Sequence, residues 1–418
     1  MKVKVSIPSV TDIELRVLST ATIDLIRKKA CRQLGIEADL TSILHDGKLL
    51  DGNRKVKALR LGHKPLILDY LWARHLILWG QEGQKRLRNA NVLIAGAGAI
   101  GNEVAKNLAM LGVRRLLIID NDVVELSNTS RMIFFDRRDQ GLNKALALAQ
   151  NITNKFPYVE AMAWTGSLEN LPLDHLLTTD VIVCGLDNVL SRIYLSQVSR
   201  KYSIPMVDGG IVGYQGRVQV YAPPEMPCPL CAFPSGEYGR IAGLRNPCDG
   251  PAEETKIPSL PTTISLVSSI QCQEVTKLVM GYSRFLQERA WPKETGEPLK
   301  GVLMIDLRHN RYSLMELKRN TNCIVCGKNG VAHTQVPRLE IPVERLNNST
   351  TRLHEIVSGR MKLIDQPLRL FSHRGSKTFM VERGKSLRNA RLRANSILTA
   401  IAEDKAEIKE AVVRLSKE

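Results

Sequence analysis

One stretch, residues 92–144, constrains this chain more than any other. It opens VLIAGAGAIG, an apolar run entering a turn built from Gly96, Gly98 and Gly101, and continues NEVAKNLAMLG at helical spacing. An apolar run without alternation reads as a strand buried on both faces. Glycine lets the backbone come close to a phosphate, and the helix that follows offers free N–H groups and a positive dipole end. RRLLIID is a second buried run, ending at Asp120, and AMAW, VIVCGLD and PMVDGG repeat the pattern with helical stretches between them. Parallel strands joined by crossover helices give a doubly wound, Rossmann-like α/β sheet. GRVQVYAP, GVLMIDLR and RYSLMEL then read as antiparallel additions to it.

The glycine turn alone leaves the nucleotide open, because GxGxxG with an acidic residue about 20 positions on also describes a dinucleotide site. The segment DNDVVELSNTSR narrows it, placing Asp120, Asp122, Asn128 and Arg131 in sequence, with Lys144 beyond. A nicotinamide site needs one acidic residue for the ribose. An Arg and a Lys converging on phosphates are what adenylyl transfer requires.

The cysteines are Cys31, Cys184, Cys228, Cys231, Cys248, Cys272, Cys323 and Cys326. CPLC and CIVC each present two thiolates from a tight turn, and the two pairs together complete a closed tetrahedral Zn²⁺ site. The metal would staple two distant segments and take no part in catalysis. Of the others, Cys31, Cys184 and Cys272 fall in apolar strand or helix patterns. Cys248 lies in a polar loop, with Arg240 and Arg245 nearby to favour a thiolate and Asp249 and Glu253 opposing them.

Length and pattern divide the 418 residues into three. In 1–70, MKVKVSI, a turn at 8–12 and IELRVL form a hairpin, then a helix capped by Thr20 or Thr22 runs to Gly35, and short strands follow. This arrangement resembles ubiquitin, a β-grasp fold, without a terminal Gly-Gly, so it reads as a docking module. Residues 71–330 hold the α/β sheet. Residues 331–418 form a small α+β domain: a strand, the helix STTRLHEIV, a hairpin at 373–375, and a long polar helix or helix pair over 386–415.

No run of 18 apolar residues exists and no signal peptide precedes the first strand, so a cytoplasmic protein without a membrane span is expected. The net charge of +17 suits acidic partners. Nucleic acid is not expected among them, because the basic residues are spread along the chain and the densest cluster (Arg388, Arg391, Arg393) lacks interleaved aromatics.

From YLWARHLILWGQEGQKRLRN onward, roughly 250 residues resemble the ubiquitin-activating and molybdopterin-synthase adenylyltransferase (ThiF/MoeB-like) superfamily. The motifs fall in that superfamily's order: Arg74-His75, the stretch 80–84, the glycine loop, Asp120, Asn128, Arg131, Lys144, then Asp187-Asn188 with Arg192. The resemblance implies an ATP site in which Asp120 accepts the ribose hydroxyls while Arg131 and Lys144 neutralise the triphosphate. It further implies that Asp187, with Asp122 nearby, holds Mg²⁺, and that Arg74 reaches across a homodimer interface. The zinc site matches the superfamily's usual place. A thioester-forming cysteine is expected between the zinc pair and the helix after SLPTT, and Cys248 stands there, although further upstream than in the compact activators of that group. The C-terminal region could resemble the ubiquitin-fold domain that recruits a conjugating enzyme, or be a plain α+β appendage.

The expected function is ATP-dependent activation of a ubiquitin-like modifier, with a cysteine thioester passed to a conjugating enzyme. The alternatives are a sulfur-carrier adenylyltransferase, a non-catalytic subunit of a heterodimeric activator, and a nicotinamide-dependent enzyme.

Overall fold

A computed structural model describes residues 1–59, 61, 64–232, 258–328, 330, 336–363, 366–374, 377–403 and 408–416. The chain divides into two compact units, Met1–Asn89 with Trp291–Gly296, and Ala90–Ala290 with Glu297–Glu418. Among the described residues, no helix is long and apolar enough to cross a membrane.

The first unit opens with β1 (Lys2–Ile7), β2 (Thr11–Arg16) and α1 (Ile23–Leu34). The Thr22 hydroxyl accepts the Leu25 N–H, and Gly35, at φ 64°, ends the helix in the left-handed conformation. β3 (Thr41–His45), β4 (Lys48–Leu49) and β5 (Leu66–Tyr70) complete a sheet of order β2-β1-β5-β3-β4, with β1 and β5 parallel. Val3, Val5 and Ile7 alternate inward against Ile23, Ile26 and Ala30 of α1, as period two on the strand and 3.6 on the helix require. This is the β-grasp arrangement expected for the segment. α2 (Ala73–Asn89) follows and breaks at Gly80 (φ 66°, ψ −175°). Within this unit Arg88 grips the Glu37 carboxylate through two 3.0 Å bonds and lies over the Trp72 ring.

The second unit holds the central sheet. Its elements are β6 (Asn91–Ala95), α3 (Ala99–Leu111), β7 (Arg115–Ile119), α4 (Lys144–Lys155) and β8 (Glu160–Trp164). They continue with α5 (Leu173–Thr178), β9 (Val181–Cys184), α6 (Val189–Tyr202), β10 (Met206–Val212) and β11 (Gln215–Tyr221). The last members are the 28-residue α7 (Pro261–Glu288), β12 (Val302–Asp306) and β13 (Arg311–Met315). The order is β13-β12-β11-β10-β9-β6-β7-β8, parallel from β10 to β8 and antiparallel from β10 outward to β13. After β8 the chain returns to the far side of β6, so the topological switch lies between β6 and β9. Ligands of open α/β sheets bind in the crevice outside the carboxyl ends of the strands at such a switch.

A second sheet belongs to the same unit: β14 (Arg338–Pro342), α8 (Thr350–Arg360), β15 (Leu368–Arg374), β16 (Lys377–Met380), β17 (Ile397–Glu403) and β18 (Ile408–Ser416). Its order is β14-β18-β17-β15-β16, with β14 and β18 parallel. The helix follows a single strand here, whereas in the β-grasp sheet it follows a hairpin, so the two terminal sheets share strand number and differ in order.

The long helix expected over 386–415 is not formed; residues 397–403 and 408–416 are paired strands. ILTAIAE and IKEAVVRLS mix helix formers (Ala, Leu, Glu, Lys, Arg) with β-branched Ile, Thr and Val, and tertiary burial decides for strand. Leu398, Ala400, Ala411, Val413 and Leu415 line one core, while Ile397 and Val412 face Leu177 of α5 on the other side. Two covered faces erase the alternation by which a strand is recognised. Leu398 is fully buried in this core. Leu398→Ala is expected to lower unfolding stability by about 3 kcal/mol, read by urea denaturation, whereas an exposed helical Leu398 would cost almost nothing.

Candidate functional site

The crevice at the switch is built from the segments that follow the carboxyl ends of β6, β7 and β9, the one after β7 being the longest. After β6 the chain turns through Gly96 at φ 97°, whose N–H donates to Ile119 O at 2.8 Å. A Cβ on Gly96 would press on the Gly185 carbonyl just beyond β9, at 3.2 Å. Gly101 sits directly over the turn, and a Cβ there would overlap the Gly96 carbonyl. The loop is thus folded back on the first turn of α3, leaving that helix's N–H groups open towards the crevice.

Asp120, just past β7, ties the loops together. Its Oδ2 accepts the Ala97 N–H at 2.7 Å and its Oδ1 the Asp122 N–H at 2.9 Å. Burial raises its pKa above the ordinary carboxylate value; the two backbone bonds and Lys144 oppose the rise. Each oxygen keeps a lone pair for a further donor. Asn143 caps α4, accepting the Leu146 N–H at 3.0 Å and donating to Asp120 O at 2.9 Å. Lys144, at the first position of α4, is mostly buried and pairs with the exposed Asp122 at 2.8 Å. The Asp122 carboxylate is therefore engaged by a cation already.

The segment between β7 and α4 carries Asn128 and Arg131. Asn128 is buried and its Oδ1 accepts the Glu125 N–H at 3.0 Å, closing a capping box. Arg131 donates to Ser127 O at 2.7 Å. The sequence reading missed Asn102, on the first turn of α3. It is fully buried, accepts the Phe134 N–H at 3.0 Å and donates to Ala97 O at 3.2 Å. It therefore fastens the Arg131 segment to the glycine loop. An amide among the apolar residues of a helix start was the available signal.

On the other side of the switch, Asp187 is exposed beyond β9 and Asn188 caps α6, its Oδ1 accepting the Ser191 N–H at 2.8 Å. Arg192, one turn into α6, donates to the Leu186 carbonyl, to Gly209 O at 3.1 Å and to Asp208. Asp208 is fully buried on β10 and also pairs with Arg217 at 2.8 Å. This buried cluster fixes the peptide immediately before Asp187. A single exposed carboxylate beside a phosphate site suits Mg²⁺, which is held by one or two carboxylates, waters and substrate oxygens.

Arg74 is exposed on the first turn of α2 in the first unit. Cys248, with Arg240 and Arg245, lies outside the described residues. Burial pushes the Cys184 thiol up to about 12 and raises Cys31 and Cys272 as well, so none of the three is an available thiolate.

Cys228, Cys231, Cys323 and Cys326 come together with their four Sγ atoms within 4.8 Å of one another. Neighbouring pairs stand 3.3, 3.5 and 4.0 Å apart. A tetrahedral ion with Zn–S bonds of about 2.3 Å requires sulfurs about 3.8 Å apart, and the set brackets that spacing. The N–H groups of Asn320 and Val325 point at Cys231 and Cys323, as around thiolates. The donor set fits zinc as a closed structural site.

Residues 72–325 match the model of the ThiF family. A SAMP-activating enzyme E1 of Haloferax volcanii is 30% identical over 265 residues, 62% of this chain and 89% of the relative. A sulfur carrier protein adenylyltransferase of Thermus thermophilus is 30% identical over 256 residues, 59% of this chain and 86% of the relative. Adenylyltransferase and sulfurtransferase MOCS3-1 of Zea mays is 28% identical over 275 residues, and the matched part spans about half its length, 54%.

The loop geometry generates a contrast between two neighbouring glycines. Gly101→Ala forces a Cβ onto a backbone oxygen and is expected to cost about 1–3 kcal/mol. A Cβ on Gly98 meets nothing within 4 Å, so Gly98→Ala should leave stability within about 0.5 kcal/mol of wild type. Chemical denaturation of both variants checks the pair, and equal losses would refute the close approach.

Proposed function

The chain belongs to the ThiF family, whose model it matches over residues 72–325, and from that premise we propose that it adenylates the C-terminal carboxylate of a ubiquitin-like or sulfur-carrier protein. The observation that carries this reading is the crevice at the β6/β9 switch. There a glycine loop and helix start, the Asp120 carboxylate, Lys144 and Asp187 all stand at the ends of adjacent elements. The printed names of the relatives support the same class of substrate.

In this reading ATP lies with its phosphates over the glycine loop and its ribose hydroxyls on the remaining lone pairs of Asp120. The carrier's carboxylate attacks the α-phosphorus, the bond to pyrophosphate breaks, and an acyl-adenylate forms. Arg131 and Lys144 stabilise charge that develops on the departing pyrophosphate. For Lys144 this entails exchanging Asp122 for phosphate oxygens, a substitution of one anion for another. Mg²⁺, when bound, supplies a counter-charge and a template for phosphate oxygens, with Asp187 as its protein ligand and Arg192 holding the peptide before it. Asn128 and Asn188 serve the site by capping the segments on which Arg131 and Asp187 stand. Arg74 is proposed to act from the second copy of a homodimer.

The finer reading concerns the next step. We assign Cys248 as the nucleophile: its thiolate attacks the acyl carbon, AMP leaves, and a thioester results for transfer to a conjugating enzyme. The buried, protonated state of Cys31, Cys184 and Cys272 supports this by leaving them unsuited to the role. The β-grasp segment 1–70 and the sheet of 331–418 are proposed as docking modules flanking an adenylation domain at 71–330. The second reading, hand-over to sulfur chemistry without a thioester here, is favoured by the two relatives named as adenylyltransferases.

Pyrophosphate exchange with a panel of ubiquitin-like and sulfur-carrier proteins tests the first step. Asp187→Ala should lower exchange by about 10²-fold; ordinary exchange would defeat the role given to it. Cys248→Ala should retain exchange and lose a reductant-sensitive adduct on non-reducing gels, whereas exchange without any adduct in wild type selects the sulfur-carrier reading. Wild type should carry one zinc per chain by mass spectrometry, and Cys228→Ser should lose it and melt at lower temperature. Unchanged metal content would rule out the tetrahedral site. Because Asp120 must be ionised to accept hydroxyls and burial raises its pKa, ATP binding should fall on the acid side above the ordinary carboxylate range, and Asp120→Asn should remove that limb.

A further inference from the structure

The end of the central sheet opposite the crevice carries a second site. A cleft of about 1250 Å³ opens where β6, β7 and β8 begin, at Asn91, Arg115 and Glu160, and its other wall comes from β15, β17, β18 and the turns at 386–396. Strands of five residues put it about 15 Å from the glycine loop. Its two walls are fastened by Arg414 on Asp180 at 3.0 Å and by Arg338 donating to Leu177 O at 2.8 Å.

Six arginines line it: Arg115, Arg374, Arg388, Arg391, Arg393 and Arg414. Glu160 and Asp174 are the acidic residues in the lining. Arg414 is paired with Asp180, and Arg115 shares Glu160 with Arg114. Arg374 donates to the Ala390 and Arg391 carbonyls and lies over the Phe379 ring, with no carboxylate partner among the described residues. Arg388, Arg391 and Arg393 are exposed and have no carboxylate partner among the described residues. Residues 331–418 carry 17 Lys and Arg against 10 Asp and Glu, so the surplus is not cancelled nearby.

We propose that this cleft binds the phosphodiester backbone of a nucleic acid. Guanidiniums crowded on one wall of a groove, without carboxylate partners, repel one another, and a chain of phosphates relieves that repulsion with release of counterions. The planar fork of Arg matches two phosphate oxygens at once. The volume exceeds the range of about 300–1,000 Å³ usual for small ligands. No Phe, Tyr or Trp lines the cleft among the described residues, so bases have nothing to stack on. Recognition therefore falls on backbone, and a duplex serves better than a single strand. Asn395, Ser396 and Thr178 offer hydroxyl and amide partners for sugar or phosphate oxygens. This site is independent of the adenylation reading.

The test uses the full chain with a fluorescent 20-base-pair RNA duplex, the corresponding DNA duplex and single strand, and polyglutamate as competitor, followed by anisotropy across a salt series. Wild type should bind the duplexes more tightly than the single strand, with affinity falling steeply between about 50 and 200 mM salt. R388Q/R391Q/R393Q, altered only at exposed positions, should bind at least tenfold more weakly, and its log–log salt slope should shrink by about three. Pyrophosphate exchange and melting temperature should stay at wild-type values. A difference between RNA and DNA identifies which source of phosphodiester the cleft takes. Absence of binding at low salt, an unchanged triple variant, or equal displacement by polyglutamate would overturn the proposal, the last in favour of an acidic protein.

Discussion

The structure depends on how closely the carboxyl ends of β6 and β9 approach each other. Gly96 lies tightly against Gly185, and Gly101 lies against Gly96 with no room for a single carbon between them. Everything at the crevice follows from that packing. α3 begins where the turn ends, Asn102 is buried under the loop, and its amide clamps the segment that carries Arg131. At Gly101 the nearest neighbour is backbone, which has no rotamers with which to yield.

Around this contact the charges are arranged as pairs waiting for exchange. Lys144 rests on Asp122, while Asp120 is half spent on backbone N–H groups and half available. Burial raises the energy of the Asp120 carboxylate, and Lys144 partly offsets it. An anionic nucleotide entering such a site replaces a protein carboxylate as partner of the lysine, so little net desolvation attends the exchange. Arg192 and Asp208 play a different part. Asp208 is sealed in the sheet, and Arg192 of α6, anchored on it, holds the peptide ahead of Asp187.

Two devices join distant segments of the second unit. The four cysteines gather two turns that are 92 residues apart at their nearest members, Cys231 and Cys323, into one knot. The sheet of β14–β18 is docked on α5 through Leu177, Ile397 and Val412 and through Arg414 and Asp180. That docking creates the basic cleft at the opposite end of the sheet from the glycine loop. The same chain thus carries a site for a nucleotide at one end of its strands and an unneutralised field at the other.

Local pattern was enough for the order of strands and helices from Val92 to Tyr221, for the glycine loop and for the paired CxxC turns. These are features of neighbouring residues: a buried strand must be apolar, a tight turn needs glycine, and two thiols must face one ion. The placement of Asp120, Lys144 and Asp187 at the ends of elements was legible from the same local pattern. The final two strands were not, since their segments mix helix formers with β-branched residues and the covering of both faces hides the strand alternation. Nor was Asn102, whose partner Phe134 is 32 residues away. The basic cleft was not legible either: Arg388, Arg391 and Arg393 are neighbours in sequence, but Arg115 and Arg374 are distant from them along the chain and meet them across one cleft only after the second sheet has docked. Sequence by itself determined the elements of the central sheet and which polar residues stand at their ends. Which distant residues face each other, and which strands survive their own propensity, was decided by burial, because the energy of burial depends on neighbours that only the tertiary fold supplies.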